Sequence, residues 1–180
     1  MSVEINRTVG QMTSAPGADE REIVFTRSFA APRELVWKAW TEPERMAKWW
    51  GPRDLTNPVI EMDLRPGGAY LFVMRSPDGT DYPMRGVYLE IVQPERLIMT
   101  DTLEEQPGDW QEMLNQYRGS PDINAAFKLV FTILFEEQDG QTTVRIISRF
   151  DSVTDRDAIL KMGMTEGWAE SLDTLESLLG

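Results

Sequence analysis

The residues that most often do chemistry in enzymes are missing or scattered in this 180-residue sequence. It contains no histidine, the usual general base and zinc ligand, and no cysteine, which excludes disulfides, thiol nucleophiles and thiolate metal sites. The acidic pairs Glu104-Glu105 and Glu136-Glu137 could act as acids and bases only if desolvated, and their loop or strand-end positions favour solvated charges. No catalytic residue is therefore assigned, and an enzyme is less favoured than a binding protein.

Sequence motifs for cofactors and metals are missing too. No nucleophile elbow, phosphate-binding loop or dinucleotide fingerprint occurs in the sequence. The glycine-containing segments SPDG and RPGG have the composition of turns. The acidic residues lack the spacing of a calcium loop, so neither a metal site nor a cofactor is predicted. Polar groups near a cavity are better sought among Asp63, Arg85, Glu90 and Asp101. If buried, these would need partners, and Arg85 with one carboxylate is the simplest pair.

Methionine and aromatic side chains indicate a different chemistry, the binding of a small apolar molecule. Tyr70, Phe72 and Met74 share one strand parity, and Met84 and Tyr88 share another. Such residues could line an adaptable pocket with a few hydroxyl donors, although a domain of this size also needs them for its core. The candidate ligand-binding residues are Tyr70, Phe72, Met74, Met84, Tyr88, Met99, Phe127, Phe131, Met164, Gly167 and Trp168.

The composition limits the classes of partner that the protein could bind. With 41% hydrophobic and 27% charged residues the chain can bury a substantial core. A formal charge of −12 argues against nucleic acid or an anionic membrane surface as the main partner. No apolar stretch approaches the roughly 20 residues of a membrane span, and no signal-peptide pattern begins the chain. We therefore expect a cytoplasmic protein without nucleic-acid or membrane partners.

Turn residues divide the chain into elements that would position the candidates. Residues 1–20 lack periodicity and are predicted to be a flexible segment, with one domain over residues 21–180. A strand over residues 22–30 precedes two short helices that end at Gly51-Pro52. Six strand-like segments follow to residue 150, mostly joined by short turns, which predicts an antiparallel sheet. The exception is residues 104–125, a connection that could be a lid, a short helix or a disordered insertion.

A long helix is predicted from about Thr154 to the C-terminus, and it carries two glycines. Leu160, Met164 and Trp168 follow helical spacing, so one face should lie on an apolar surface. Gly163 and Gly167 are four residues apart and would share one side of such a helix. Each costs about 1 kcal/mol relative to alanine, and either close packing of a strand or unfilled volume would explain the pair.

Several segments together resemble the family named for the activator of heat-shock-protein-90 ATPase, in the START-like, helix-grip (SRPBCC) superfamily. The resemblance covers about residues 21–180 and rests on elements in a fixed order: APRELVW, WWGP, GGAYLF, PERL and GWAESL. It implies an α+β fold with a curved antiparallel sheet wrapped around a long C-terminal helix, often enclosing an apolar cavity. Asp101 departs from the pattern, because many relatives have an aromatic residue there.

Three functions are compatible with these observations. The first is noncatalytic binding of a small hydrophobic or aromatic ligand between the sheet and the C-terminal helix. The second, implied by the resemblance, is a chaperone-interacting module, which would need an exposed apolar patch rimmed by charge. The third is an enzyme similar to the polyketide cyclases or aromatases of the superfamily. That interpretation requires a buried carboxylate or tyrosine that faces the cavity.

Overall fold

The chain consists of strands of one antiparallel sheet, with helices inserted after the second, sixth and eighth strands. The computed structural model describes residues 11–119 and 128–179. The elements are, in chain order, β1 Thr13–Pro16, β2 Glu22–Phe29, α1 Arg33–Thr41, α2 Pro43–Met46, β3 Thr56–Met62, β4 Ala69–Arg75, β5 Asp81–Val92, β6 Arg96–Thr102, α3 Gly108–Arg118, β7 Lys128–Gln138, β8 Gln141–Phe150, α4 Val153–Lys161 and α5 Met164–Leu179.

The described strands form one antiparallel sheet with the order β1-β2-β8-β7-β6-β5-β4-β3. Short turns join β3 through β6 and β7 to β8, so chain neighbours pair as the sequence predicts. Along β7, Leu129, Phe131, Ile133 and Phe135 are buried and alternate with more exposed residues, which confirms that one face of the strand lies on the core. The fold is the predicted helix-grip arrangement of α+β class.

The edge strand β1 lies in the segment that was expected to be flexible. Residues 13–16 pair with residues 23–26 of β2 along the side that β8 does not occupy. All four residues of β1 are exposed. Backbone hydrogen bonding, which needs no apolar pattern, explains why the hydropathy of this segment gave no sign of a strand. Residues 1–10 lie outside the described part of the chain.

The two short helices after β2 contribute most of an aromatic cluster. Trp37 and Trp40 of α1 and Trp49 after α2 are at most 4% exposed. The Trp40 ring centroid lies 4.8 Å from that of Trp49 and 6.0 Å from that of Phe135 in β7. The Trp49 indole N–H donates to the Ala39 carbonyl oxygen at 2.9 Å. These contacts anchor α1 and α2 on one end of the sheet.

The C-terminal segment is two helices instead of the predicted single one. Helix α4 begins after Ser152, whose hydroxyl accepts a hydrogen bond from the Asp155 amide. It ends before Gly163, which has a φ of 97°, a left-handed conformation that only glycine adopts without strain. Gly163 therefore breaks the helix, and only Gly167 lies within α5. The expectation that both glycines share one side of a continuous helix was wrong.

Helix α5 is held on the sheet by apolar and ionic contacts. Leu172 and Leu175 are buried. Arg27 of β2 is 2% exposed, and its guanidinium pairs with Asp173 at 2.5 Å and with Glu176. None of the helices in the described part of the chain is long and apolar enough to cross a membrane.

Candidate functional site

A cavity of about 300 Å³ lies between the sheet, α3 and the junction of α4 with α5. Strands β4 to β7 supply one wall, and the α4–α5 junction supplies the opposite wall through Met162, Gly163, Met164, Gly167 and Trp168. The segment after α2, from Trp50 to Leu55, closes one side. The volume lies at the lower end of the usual range for small-molecule pockets, about 300–1,000 Å³.

The predicted ligand-binding residues separate into two groups. The members that border the cavity are Met74, Met84, Phe131, Met164, Gly167 and Trp168. Tyr70, Phe72, Tyr88 and Met99 do not border it and are at most 3% exposed in the surrounding core. For the strand residues of both groups, strand parity identified the inward face. It could not show where along that face the core ends and the cavity begins. Phe127 lies outside the described residues.

Gly167 explains part of the open volume. A Cβ atom built at this position would meet no heavy atom within 4 Å outside its own helix neighbourhood. The backbone is helical, so a side chain there is not strained. Of the two explanations for this glycine, unfilled volume fits the structure, whereas close packing of a strand does not. At Gly163 the left-handed backbone conformation is itself the reason for glycine.

Aromatic rings give the cavity one firm wall. The Trp168 centroid lies 5.3 Å from that of Trp50 and 5.9 Å from that of Phe131, both in edge-to-face geometry. Trp168 also stacks on Trp40 at 5.9 Å, which connects this wall to the aromatic cluster behind it. Trp50 is 7% exposed and packs against Trp40, and it also borders the cavity.

Helix α3 covers the cavity and answers the question of the 104–125 connection for its described part. Trp110 of this helix and Gln106 just before it border the cavity. The Gln106 side-chain amide donates to the Pro83 carbonyl oxygen at 2.6 Å. At the other end of α3, Arg118 pairs with Asp155 of α4 at 2.7 Å, and the two side chains are only 10% and 7% exposed. The connection is therefore a short helix fixed at both ends, and its residues 120–125 lie outside the described part.

Among the described residues that line the cavity, Asp101 is the one with a carboxylic acid side chain. It follows Leu97 and Met99 on the inward face of β6, borders the cavity and is 1% exposed. Neither carboxyl oxygen has a hydrogen-bond partner within residues 11–119 and 128–179. Burial raises the pKa of Asp101 well above its ordinary value of 3.8, because desolvation penalises the carboxylate form. The carboxyl is therefore held in its neutral form to a much higher pH than usual.

The neighbouring Tyr70 hydroxyl does not satisfy this carboxyl. It donates its hydrogen to the Thr100 carbonyl oxygen at 2.5 Å. Gly86 allows this close approach, since a Cβ there would lie 1.8 Å from the Thr100 oxygen and 2.7 Å from Cε1 of Tyr70. Burial and the nearby Asp101 raise the pKa of Tyr70, so the phenol stays protonated and keeps that bond.

The other polar candidates lie on the surface. Asp63 pairs with Arg65 at 2.8 Å, and Glu90 pairs with Arg96 at 2.5 Å. Arg85 does pair with a carboxylate, Glu105 at 2.7 Å, but both side chains are more than half exposed. Of the four polar candidates, all of them described residues, only Asp101 borders the cavity, and the burial on which the pairing of Arg85 depended does not occur. The period-two pattern Leu97, Met99, Asp101 is a sequence signal that could have distinguished Asp101 from the other three.

Other cavity residues were missed by the sequence reasoning, among them Leu103, Gln106, Trp110, Leu129 and Met162. Trp110 and Gln106 belong to a connection whose path the sequence left open. Leu103 follows β6 and continues the inward parity of Asp101. Leu103, like Leu129 on β7, had a signal in the sequence, because alternation along a strand can be extended by two residues.

The same fold and similar sequence features occur in a described protein family. The model for the family "Activator of Hsp90 ATPase homolog 1-like protein" matches residues 30–180. The chain belongs to this family. The match confirms the resemblance drawn from the order of its motifs. None of the curated proteins matches the chain.

Solved structures of bacterial proteins share the fold. A protein from Nitrosomonas europaea is 28% identical, with a TM-score of 0.72 over 91% of this chain and 96% of its own. A protein from Mycobacterium smegmatis is 25% identical, with a TM-score of 0.73 over 94% of this chain and 98% of its own. A protein from Rhodobacter sphaeroides, at 20% identity and a TM-score of 0.77, covers 94% of this chain and 97% of its own. This last similarity shows the fold alone.

Proposed function

We propose that this member of the family binds a small, predominantly apolar ligand in the cavity between the sheet, α3 and α5. The observation that supports this most is the open space beside Gly167, where the helix face next to Met164 and Trp168 is left without a side chain. A core selected for packing alone would gain by filling it, because close packing and helix propensity both favour a larger residue. The methionines of the walls can adapt to an irregular ligand.

Gly167→Leu tests this proposal with ethylnaphthalene as an apolar probe. Leucine would project into the cavity, so we expect that calorimetry detects no binding of the probe. The free energy of unfolding should stay the same or rise by up to about 1 kcal/mol. If the helix instead needs a glycine for close packing, leucine should cost about 1–3 kcal/mol. Ser177→Leu is the matched control, since Ser177 is exposed on the same helix. That control also gains helix propensity, by a smaller amount, and should leave probe binding unchanged.

Two results would contradict the proposal. One is a wild-type protein that does not bind the probe. The other is a Gly167→Leu variant that still binds it with wild-type affinity. A cavity that the probe cannot enter would give the first result, and a binding site elsewhere on the molecule would give the second.

A cyclase-like enzyme is a second candidate because of one observation. Asp101 is a buried carboxyl that borders the cavity, which is the feature that this interpretation requires. A neutral carboxylic acid in an apolar pocket can act as a general acid. Incubating the protein with a linear poly-β-ketone and identifying the products by mass spectrometry distinguishes the two functions. A converted product supports the enzyme, and unchanged recovery of the bound molecule supports simple binding.

The chaperone interpretation has weaker support from the surface. Within the described part of the chain, the large exposed apolar side chains are Leu64, Leu89, Met113, Tyr117 and Leu178. Only Met113 and Tyr117 share an element, the helix α3. Two side chains on one helix are less than the contiguous patch that a protein partner usually needs. A pull-down with a purified heat-shock-protein-90 homologue tests this alternative.

A further inference from the structure

The Asp101 carboxyl is a buried polar group without a role in holding the fold. Buried polar groups in proteins are nearly always hydrogen-bonded, and an orphaned one destabilises the folded state. The Tyr70 hydroxyl gives its hydrogen to Thr100, and its oxygen forms no hydrogen bond with either carboxyl oxygen, so Tyr70 does not relieve it. Aspartate at this place therefore weakens the protein unless something that enters the cavity completes its hydrogen bonding.

The surroundings indicate what that group must be. Among the lining residues that the structure describes, none is lysine or arginine, and Asp101 is the one carboxylic acid. Without a cation beside it, the carboxyl in the apolar cavity keeps its proton and offers an O–H donor. The Trp50 indole N–H, on another wall residue, is also buried and has no acceptor among the described residues. Two donors without acceptors favour a ligand that brings an acceptor.

We propose that the Asp101 carboxyl donates a hydrogen bond to a carbonyl oxygen of a neutral, otherwise apolar ligand, and so selects carbonyl compounds such as aromatic ketones. This rests on the proposed binding function and specifies its ligand. The aromatic and methionine walls hold the hydrocarbon part, and the carboxyl fixes its orientation. A carbonyl entering this cavity exchanges its hydrogen bonds with water for one with Asp101, whereas a plain hydrocarbon leaves Asp101 unsatisfied.

The test compares three probes with the same ring system and attachment point: acetylnaphthalene, ethylnaphthalene and naphthylethylamine. Calorimetry measures each with the wild type, Asp101→Asn and Asp101→Leu, and thermal unfolding confirms that the variants are folded. Asparagine keeps an N–H donor but cannot ionise, and leucine removes the donor. We expect the ratio of ketone to hydrocarbon affinity to fall about tenfold in Asp101→Leu and to be largely kept in Asp101→Asn.

Each other outcome contradicts something specific. An unchanged ratio in Asp101→Leu would show that the carboxyl does not contact the ligand carbonyl, while leaving apolar binding intact. Tighter binding of the amine than the ketone, lost in Asp101→Asn, would mean that Asp101 acts as an anion that pairs with a cation. Both results overturn the inference but not the proposed function. Failure of the wild type to bind any of the three probes would overturn the proposed function and the inference with it.

Discussion

Phe131 and Phe135 lie four residues apart on the same face of β7, yet their surroundings differ. Phe135 packs between Trp37 and Trp40, with ring centroids at 5.2 Å and 6.0 Å. Phe131 contacts Trp168 on one side, at 5.9 Å, and borders the cavity on the other. One strand with a uniform inward pattern thus serves a packed core at one end and a candidate site at the other.

The polar groups near the two phenylalanines differ in the same way. At the packed end, Trp49 donates to Ala39 at 2.9 Å, and the Thr142 hydroxyl donates to the Ala31 carbonyl oxygen at 2.7 Å. At the cavity end, Asp101 has no partner among the described residues. The Trp40 indole N–H at the packed end also lacks an acceptor among the described residues. What distinguishes the cavity end is that an unpaired carboxyl lies beside open volume. That is the usual relation between a binding site and the core that supports it.

The largest expected effect comes from truncating the two phenylalanines. Phe135→Ala should lower the free energy of unfolding by about 3–5 kcal/mol, because it opens a new cavity among fixed aromatic rings. Phe131→Ala should cost at least about 1 kcal/mol less, since it enlarges space that already exists. Urea unfolding of both variants measures the difference. Equal losses would show that Phe131 is packed as tightly as Phe135.

The next effect concerns the helix that covers the cavity. Asp155→Asn removes the buried partner of Arg118, and we expect a loss of about 2 kcal/mol. This is below the roughly 3–5 kcal/mol of a fully buried pair, because Arg118 at the end of α3 can turn towards water. Hydrogen exchange should increase mainly in α3.

The matched control for this prediction is Asp157→Asn on the same helix. Asp157 is half exposed and pairs with Arg156 at 2.8 Å, and surface pairs contribute only about 0–1 kcal/mol. If exchange in α3 responded equally to both substitutions, the Arg118–Asp155 pair would not be what holds that helix.

The third effect is a pH dependence that belongs to Asp101. Its folded-state pKa lies above the ordinary 3.8, so the folded protein keeps this proton after the unfolded chain has lost it. The contribution of Asp101 to the free energy of unfolding should therefore fall as the pH rises above about 3.8. The slope is about 1.4 kcal/mol per pH unit until the folded-state pKa is reached. Asp101→Asn removes this term, and the difference between the two stability curves isolates it from the other carboxylates. A difference that does not vary with pH would mean that Asp101 titrates normally.

The smallest effects distinguish the two glycines. Gly163→Ala should cost about 1 kcal/mol or more, because alanine is strained at a φ of 97°. Gly167→Ala should raise stability by up to about 1 kcal/mol, since its Cβ would enter open space in a regular helix. Thermal unfolding reports both signs. A destabilised Gly167→Ala would indicate close packing that the structure does not show.

These two glycines also show what the sequence could predict and what it could not. The family motifs and the alternating strands indicated the fold, and the parity of β7 placed Phe131 on the inward face. The alternation of Leu97 and Met99 in β6 could have placed Asp101 there as well. Spacing alone could not show that Gly163 takes a left-handed conformation, because glycine is compatible with both a helix and a break. Nor could it separate Met84, which borders the cavity, from Met99, which does not. That distinction depends on where α3 and α5 lie over the sheet, which is set by long-range contacts such as Arg118 with Asp155.

The central claim, that a ligand binds in the cavity, is tested most directly by an NMR titration of the methionine methyl groups. With carbon-13-labelled methionine, acetylnaphthalene should shift the methyl signals of Met84 and Met164, which border the cavity, saturably and with one dissociation constant. The signal of Met46, which is 1% exposed in the packed region, should stay in place. Shifts confined to the exposed Met113, or no saturable shift at Met84 and Met164, would contradict the assignment of this cavity as the ligand site.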